Sequence, residues 1–133
     1  MLNFQDFALL VARLMISAVF VVSAIDKFRL IPAELAQIAS LRLPEPAIVA
    51  RLTGVFEVLG VASLVLGFYT RTYALILAIF MAFVTLAFVK FWSFDGPLEL
   101  KGMLRNIFFG NIAITGGLIY LAVQGPGRFA VSA

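Results

Sequence analysis

The stretch FALLVARLMISAVFVVSAI, Phe7 to Ile25, is apolar at every position except Arg13, Ser17 and Ser23. At about 1.5 Å per residue it reaches nearly across the ~30 Å hydrocarbon core of a bilayer. It stops at Asp26-Lys27-Phe28-Arg29, where polar headgroups would meet it. Three further runs have the same character, about Ala47–Phe68, Thr72–Val89 and Leu104–Gln124. The expected fold is therefore all-α: an integral membrane four-helix bundle, with residues 1–133 forming a single domain.

Composition agrees. Hydrophobic residues are 63% of the chain and charged residues 13%, outside the range of ordinary soluble domains. Mean hydropathy is +1.09. A soluble fold could not cover that much apolar surface with ten basic and seven acidic side chains. The net charge of +3 does not point to nucleic acid, because the basic residues stand at the ends of apolar runs, where membrane lipids offer headgroups. Asp6 before the first run, and the absence of a basic start or a small-residue cleavage site, mark that run as a retained span rather than a signal peptide.

Between spans one and two lies a long connection, Asp26 to Arg51. Pro32 is suited to open a short interfacial helix reaching Leu43, with Glu34 in its first turn. Leu43-Pro44-Glu45-Pro46 then stops it and opens span two. Thr70-Arg71-Thr72 reads as a tight turn between spans two and three, and Ser93 to Met103 as a polar connection turning at Asp95-Gly96-Pro97. Lys27, Arg29, Arg42, Arg51, Lys90, Lys101 and Arg105 gather on the connection side, so the positive-inside rule predicts termini outside the cytoplasm. Helical spacing puts Arg13, Ser17, Phe20, Ala24 and Lys27 on one face of span one. Gly60, Ser63 and Gly67 make a small-residue stripe on span two, and Asn106, Gly110, Ala113 and Gly117 another on span four. Such stripes let membrane helices approach closely.

Charges inside these spans are the best guide to function, since an ionisable group in hydrocarbon needs a compensating partner. Glu57, within span two, is the first candidate, for proton exchange or for holding a polar head. Its expected partner is Lys27 or Arg105. Arg13 is the second, turned into the bundle or else snorkelling to the near interface. Lys27, Arg105 and Asn106 form a third group at the mouth from which Glu57 would be reached, where a polar head could sit while the bundle holds an apolar tail. Each of these residues could equally serve helix packing or headgroup contact. No cysteine or histidine is present, so the sequence offers no thiol relay and lacks the commonest metal and haem ligand. No metal or haem is expected in this chain.

Several motifs, in order, resemble those of the DoxX family of small four-span membrane proteins. They are Arg13 with the exit Ser23-Ala24-Ile25-Asp26-Lys27, then Leu41-Arg42-Leu43-Pro44-Glu45-Pro46, then Gly54-Val55-Phe56-Glu57-Val58-Leu59-Gly60. Leu66-Gly67-Phe68-Tyr69-Thr70-Arg71, Leu104-Arg105-Asn106 and the closing Gly125-Pro126-Gly127-Arg128 complete the series. One departure is Lys90-Phe91-Trp92, where many members carry a histidine. The resemblance implies a bacterial inner-membrane location and a quinone-linked oxidoreductase or redox-complex subunit, with an isoprenoid quinone as cofactor. Two alternatives stay open: a non-catalytic anchor, receptor or assembly subunit bound to a redox enzyme or to a second copy, and a transporter of small solutes or protons.

Overall fold

The computed structural model describes residues 3–131. Five α-helices carry the fold: α1 Phe4–Phe28, α2 Pro32–Ser40, α3 Pro46–Leu66, α4 Thr70–Phe88 and α5 Leu98–Gln124. A single 3-10 turn, Phe91–Ser93, follows α4. Helices α1, α3, α4 and α5 are each long and apolar enough to cross a membrane, and the described residues contain no strand. The chain is an integral membrane protein. Its most extensive packing runs between α1 and α3 and between α4 and α5. Two helical hairpin pairs thus stand side by side, joined by lighter contacts of α3 with α4 and α1 with α5.

The helices start where local chemistry permits. Asn3 caps α1, its side chain accepting from the Asp6 amide at 3.0 Å while Asp6 reaches back to the Asn3 amide at 3.4 Å, a reciprocal capping box. Pro32 and Pro46 each open a helix, where a missing amide proton costs nothing. Helix α5 begins at Leu98, six residues before the hydropathy pattern suggested. Leu98-Glu99-Leu100-Lys101 are good helix formers, and Pro97 before them ends the preceding extended segment. Helix α2 closes at Ser40, short of Leu43, because Arg42 turns left-handed at φ 59°.

The bundle has a mixed interior and an apolar exterior: a buried cluster including Phe20, Leu64, Leu77, Leu118 and Leu121 is accompanied by polar and charged side chains. Fully or nearly buried positions include Arg13, Ser17, Lys27, Glu57, Ser63, Thr70 and Thr85, while Val, Leu, Ile and Phe fill the exposed faces. An exterior of this kind suits a lipid solvent, in which apolar side chains have no need to be buried. The buried stripe of α1 is Leu9, Arg13, Ser17, Phe20, Ala24 and Lys27, matching the face read from spacing. Ser17 and Thr85 donate to the carbonyls of Arg13 and Met81 four residues back, which satisfies them within their own helices. On α3, Gly60 admits Leu77 of α4 so closely that a β-carbon there would lie 2.9 Å from it. The α5 stripe behaves differently. Among the described residues, leaving aside its chain neighbours and the adjacent backbone of its own helix, nothing lies within 4 Å of a β-carbon built at Gly110, and Ile16 alone meets one at Gly117.

At the terminal side the chain is tied together by backbone groups. The turn between α3 and α4 is Gly67-Phe68-Tyr69, not Thr70-Arg71-Thr72: Gly67 takes φ +77° and donates to the Ser63 carbonyl at 2.8 Å. Glycine reaches that conformation without steric cost, whereas Thr70 and Arg71 continue readily into α4. After Gly125 the tail folds back over this turn. The Val131 amide donates to the Leu66 carbonyl at 2.9 Å, the Arg128 amide to Asp6 Oδ1 at 3.2 Å, and Arg71 to the Val123 carbonyl at 2.8 Å.

Candidate functional site

Glu57 lies in the middle of the α3 stripe formed by Ala50, Gly54, Glu57, Gly60 and Ser63, and none of its surface is exposed. The α1 face opposite it carries Lys27, in the last turn of that helix. Lys27 Nζ stands 2.9 Å from Glu57 Oε1, donates to Ser23 Oγ at 2.7 Å and faces Glu34 Oε2 of α2 at 3.7 Å. The contact to Glu57 is a charge pair rather than an aligned hydrogen bond, and Glu57 Oε2 has no partner among the described residues. A cation thus sits between two carboxylates, one sealed in the bundle and one at the interfacial helix. Bringing such charges out of water is costly, and an unpartnered carboxylate oxygen adds to that cost.

Two cavities lie at this group and share Lys27 in their walls. The larger, about 270 Å³, runs under α2 and is lined by Ser23, Lys27 and Glu34 at its polar end and by Ile38, Phe80 and Phe88 among its apolar walls. A deeper one, about 170 Å³, is lined by Ser23, Lys27, Glu57, Phe80, Val84 and Asn111. Ser23, Lys27, Phe80 and Val84 line both. The result is an amphipathic cleft: a few convergent polar groups at one level, aromatic and aliphatic walls elsewhere. This is the usual anatomy of a small-molecule site.

The residues singled out from sequence fall into three places. Lys27 and Glu57 come together in the cleft. Arg13 does not line it. It is wholly buried near the terminal side, where Nη1 donates to the Leu64 carbonyl at 2.9 Å and Nη2 to the Phe129 carbonyl. Those acceptors include a carbonyl of the last turn of α3, where the helix dipole favours a cation. Arg13 therefore neither snorkels nor meets Glu57; it clamps α1 to α3 and the tail. Arg105 and Asn106 are exposed, and Arg105 borders a separate cavity with Phe91, Leu98, Lys101 and Gly102. They stand away from Glu57 because α5 presents that turn outward, so of the two expected partners, Lys27 and Arg105, it is Lys27 that meets Glu57.

Asn111, not Asn106, is the α5 amide that reaches the cleft, and Ser23 and Glu34 complete its polar end. Asn111 could have been suspected from its position inside span four. Glu34 could not, because its approach to Lys27 depends on how α2 folds back beneath the bundle. No group of three or more acidic residues capable of holding a metal ion occurs among the described residues.

Comparison with known proteins places the molecule among small membrane proteins. The DoxX family model matches residues 8–90. The chain is 28% identical to inner membrane protein YphA of Escherichia coli (strain K12) over 123 residues, 92% of this chain and 86% of that protein. It is 25% identical to inner membrane protein YqjF of the same organism over 131 residues, 98% of this chain and 94% of that one. A Surfeit locus protein 4 homolog of Schizosaccharomyces pombe is 31% identical over 80 residues, 60% of this chain but only 26% of that protein. No solved structure matches the chain.

Proposed function

The chain belongs to the DoxX family, and we propose that it is a quinone-binding membrane subunit whose ligand occupies the cleft between α1, α2, α3 and α4. The observation that carries this reading is the pair of neighbouring cavities that share Lys27: the deeper one is lined by the buried Lys27–Glu57 charge pair, with its unpartnered carboxylate oxygen, and both have walls of Phe80 and Val84. These residues fit an isoprenoid quinone, which joins a small polar head to a long apolar tail. When bound, such a group supplies two-electron, two-proton chemistry. Glu57 and Lys27 hold the head, Ser23 fixes the Lys27 ammonium, and the α2 roof with Ile38 covers the tail where the cleft meets the interface. Lys27 can slide from Glu57 towards Glu34, 3.7 Å away, which exposes Glu57 to the ligand without leaving the cation unpaired. The sequence has no cysteine or histidine, so on this reading a partner subunit exchanges electrons with the bound quinone.

Mass spectrometry of small molecules extracted from gently purified protein tests the reading. Wild-type protein is expected to carry a near-stoichiometric quinone, and Glu57→Gln to lose most of it. Bulk lipid alone in both samples would overturn the proposal and favour a non-catalytic anchor or assembly subunit.

A further inference from the structure

The first two turns of α5 border a cavity of about 340 Å³, lined by Phe91, Leu98, Lys101, Gly102 and Arg105. None of these residues lines either cavity of the Glu57 cleft. We infer that this second place binds the headgroup of an anionic phospholipid, its phosphate held between Lys101 and Arg105. Leu98, Lys101, Gly102 and Arg105 stand at i, i+3, i+4 and i+7, so they share one face of α5. Among the described residues, leaving aside its chain neighbours and the adjacent backbone of its own helix, nothing lies within 4 Å of a β-carbon built at Gly102. The surface between the two cations is therefore open to a ligand. Neither cation is in an ion pair with a carboxylate among the described residues. The acids nearest in sequence, Asp95 and Glu99, are exposed and do not line the cavity.

Aromatic packing sets the depth of this cavity. Phe91 packs on Phe108 at 5.4 Å and on Phe109 at 6.0 Å between ring centroids, and Trp92 meets Phe108 at 5.5 Å. The cluster seats the turn after α4 against α5. Trp and other amphipathic rings gather at the level of lipid headgroups, which puts Lys101 and Arg105 at the depth of lipid phosphates. Their guanidinium and ammonium groups donate strong charge-assisted hydrogen bonds to phosphate oxygens. The same helix face continues as Phe109 and Ile112, both exposed, which give acyl chains an apolar track. A soluble phosphate would use the cations but not that track. A zwitterionic head brings an ammonium of its own beside two cations, with no carboxylate in the wall to receive it. A net negative head meets all of these conditions, as basic pockets at membrane interfaces generally require.

Trp92 is the one tryptophan of the chain and adjoins Phe91 of the cavity wall, so its fluorescence reports on this place. The experiment reconstitutes the full-length protein in phosphatidylcholine vesicles. A small share of the lipid is either phosphatidylglycerol or phosphatidylcholine, brominated near the top of its acyl chains to quench Trp92 at short range. Phosphatidylglycerol is expected to bind about fivefold or more tightly than phosphatidylcholine, the factor supplied by one basic side chain near an anionic surface. Two variants should each bring the two lipids within about twofold. Lys101→Gln with Arg105→Gln removes the cations, whereas Gly102→Phe keeps them and fills the space between them. Equal quenching of wild-type protein by both lipids would overturn the inference. So would a preference that survives Gly102→Phe, since diffuse surface charge then explains it without a cavity. Relief of quenching by inorganic phosphate, matched against chloride at equal ionic strength, would assign the cations to a soluble anion and overturn the lipid. The wild-type comparison decides on its own where a variant folds poorly.

Discussion

A β-carbon on Gly67 would lie 2.6 Å from Nη1 of Arg13, two residues 54 positions apart in the chain and joined only by the fold. The same β-carbon would meet Ala130 Cβ at 2.5 Å, and the backbone already stands at φ +77°. Glycine at this turn is thus required by three things at once: the left-handed conformation, the buried guanidinium and the returning tail.

Gly67→Ala is therefore expected to destabilise the protein by about 2–4 kcal/mol, left-handed strain contributing roughly 1–2 of this and the clash the rest. Thermal melting in detergent, read by circular dichroism, checks it. An unchanged melting temperature would show that the turn is not packed as described.

Arg13→Gln should lower stability by about 1–3 kcal/mol or more, since it leaves the buried carbonyls of Leu64 and Phe129 poorly satisfied. Ligand affinity at the Glu57 cleft should stay within about twofold, because Arg13 does not line that cleft. A large loss of quinone binding with normal stability would instead place Arg13 in the site.

Lys27→Met strands a carboxylate in the bundle, a change that typically costs about 3–5 kcal/mol. Adding Glu57→Leu removes the stranded charge, so the double variant should be more stable than Lys27→Met alone. A double-mutant cycle on unfolding free energies measures the coupling. Simple additivity of the two changes would contradict the 2.9 Å pair.

Val84→Trp puts a large side chain into a wall that both cavities share. Copurifying quinone should fall about tenfold or more, with little change in melting temperature because the cavity is already empty of side chains. Arg105→Gln, outside the cleft, is the matched control and should keep its quinone.

Much of this architecture was legible along the chain. Four apolar runs of bilayer length fix four spans, because unsatisfied backbone in hydrocarbon is too costly to leave any other solution. Helical periodicity also placed Arg13, Ser17, Phe20, Ala24 and Lys27 on a single buried face. The ends of elements were less legible. Leu98-Glu99-Leu100-Lys101 carries helix propensity but no apolar run, so hydropathy placed the start of span four near Leu104. Capping and turn geometry set the starts of α1 and α4 by contacts a few residues away.

The sequence by itself determined that this protein lives in a membrane, that it crosses four times, and that Glu57 and Arg13 are charges needing partners. Only the tertiary structure decided which partners. The pairing of Glu57 with Lys27 rather than Arg105, the use of Arg13 as a clamp on carbonyls, and the approach of Glu34 through α2 all depend on how helices rotate about their own axes and on which ends they share. Those rotations follow from close packing at positions such as Gly60 against Leu77. In lipid, side-chain fit and polar satisfaction set helix orientation, and neither is encoded in the hydropathy of any one span.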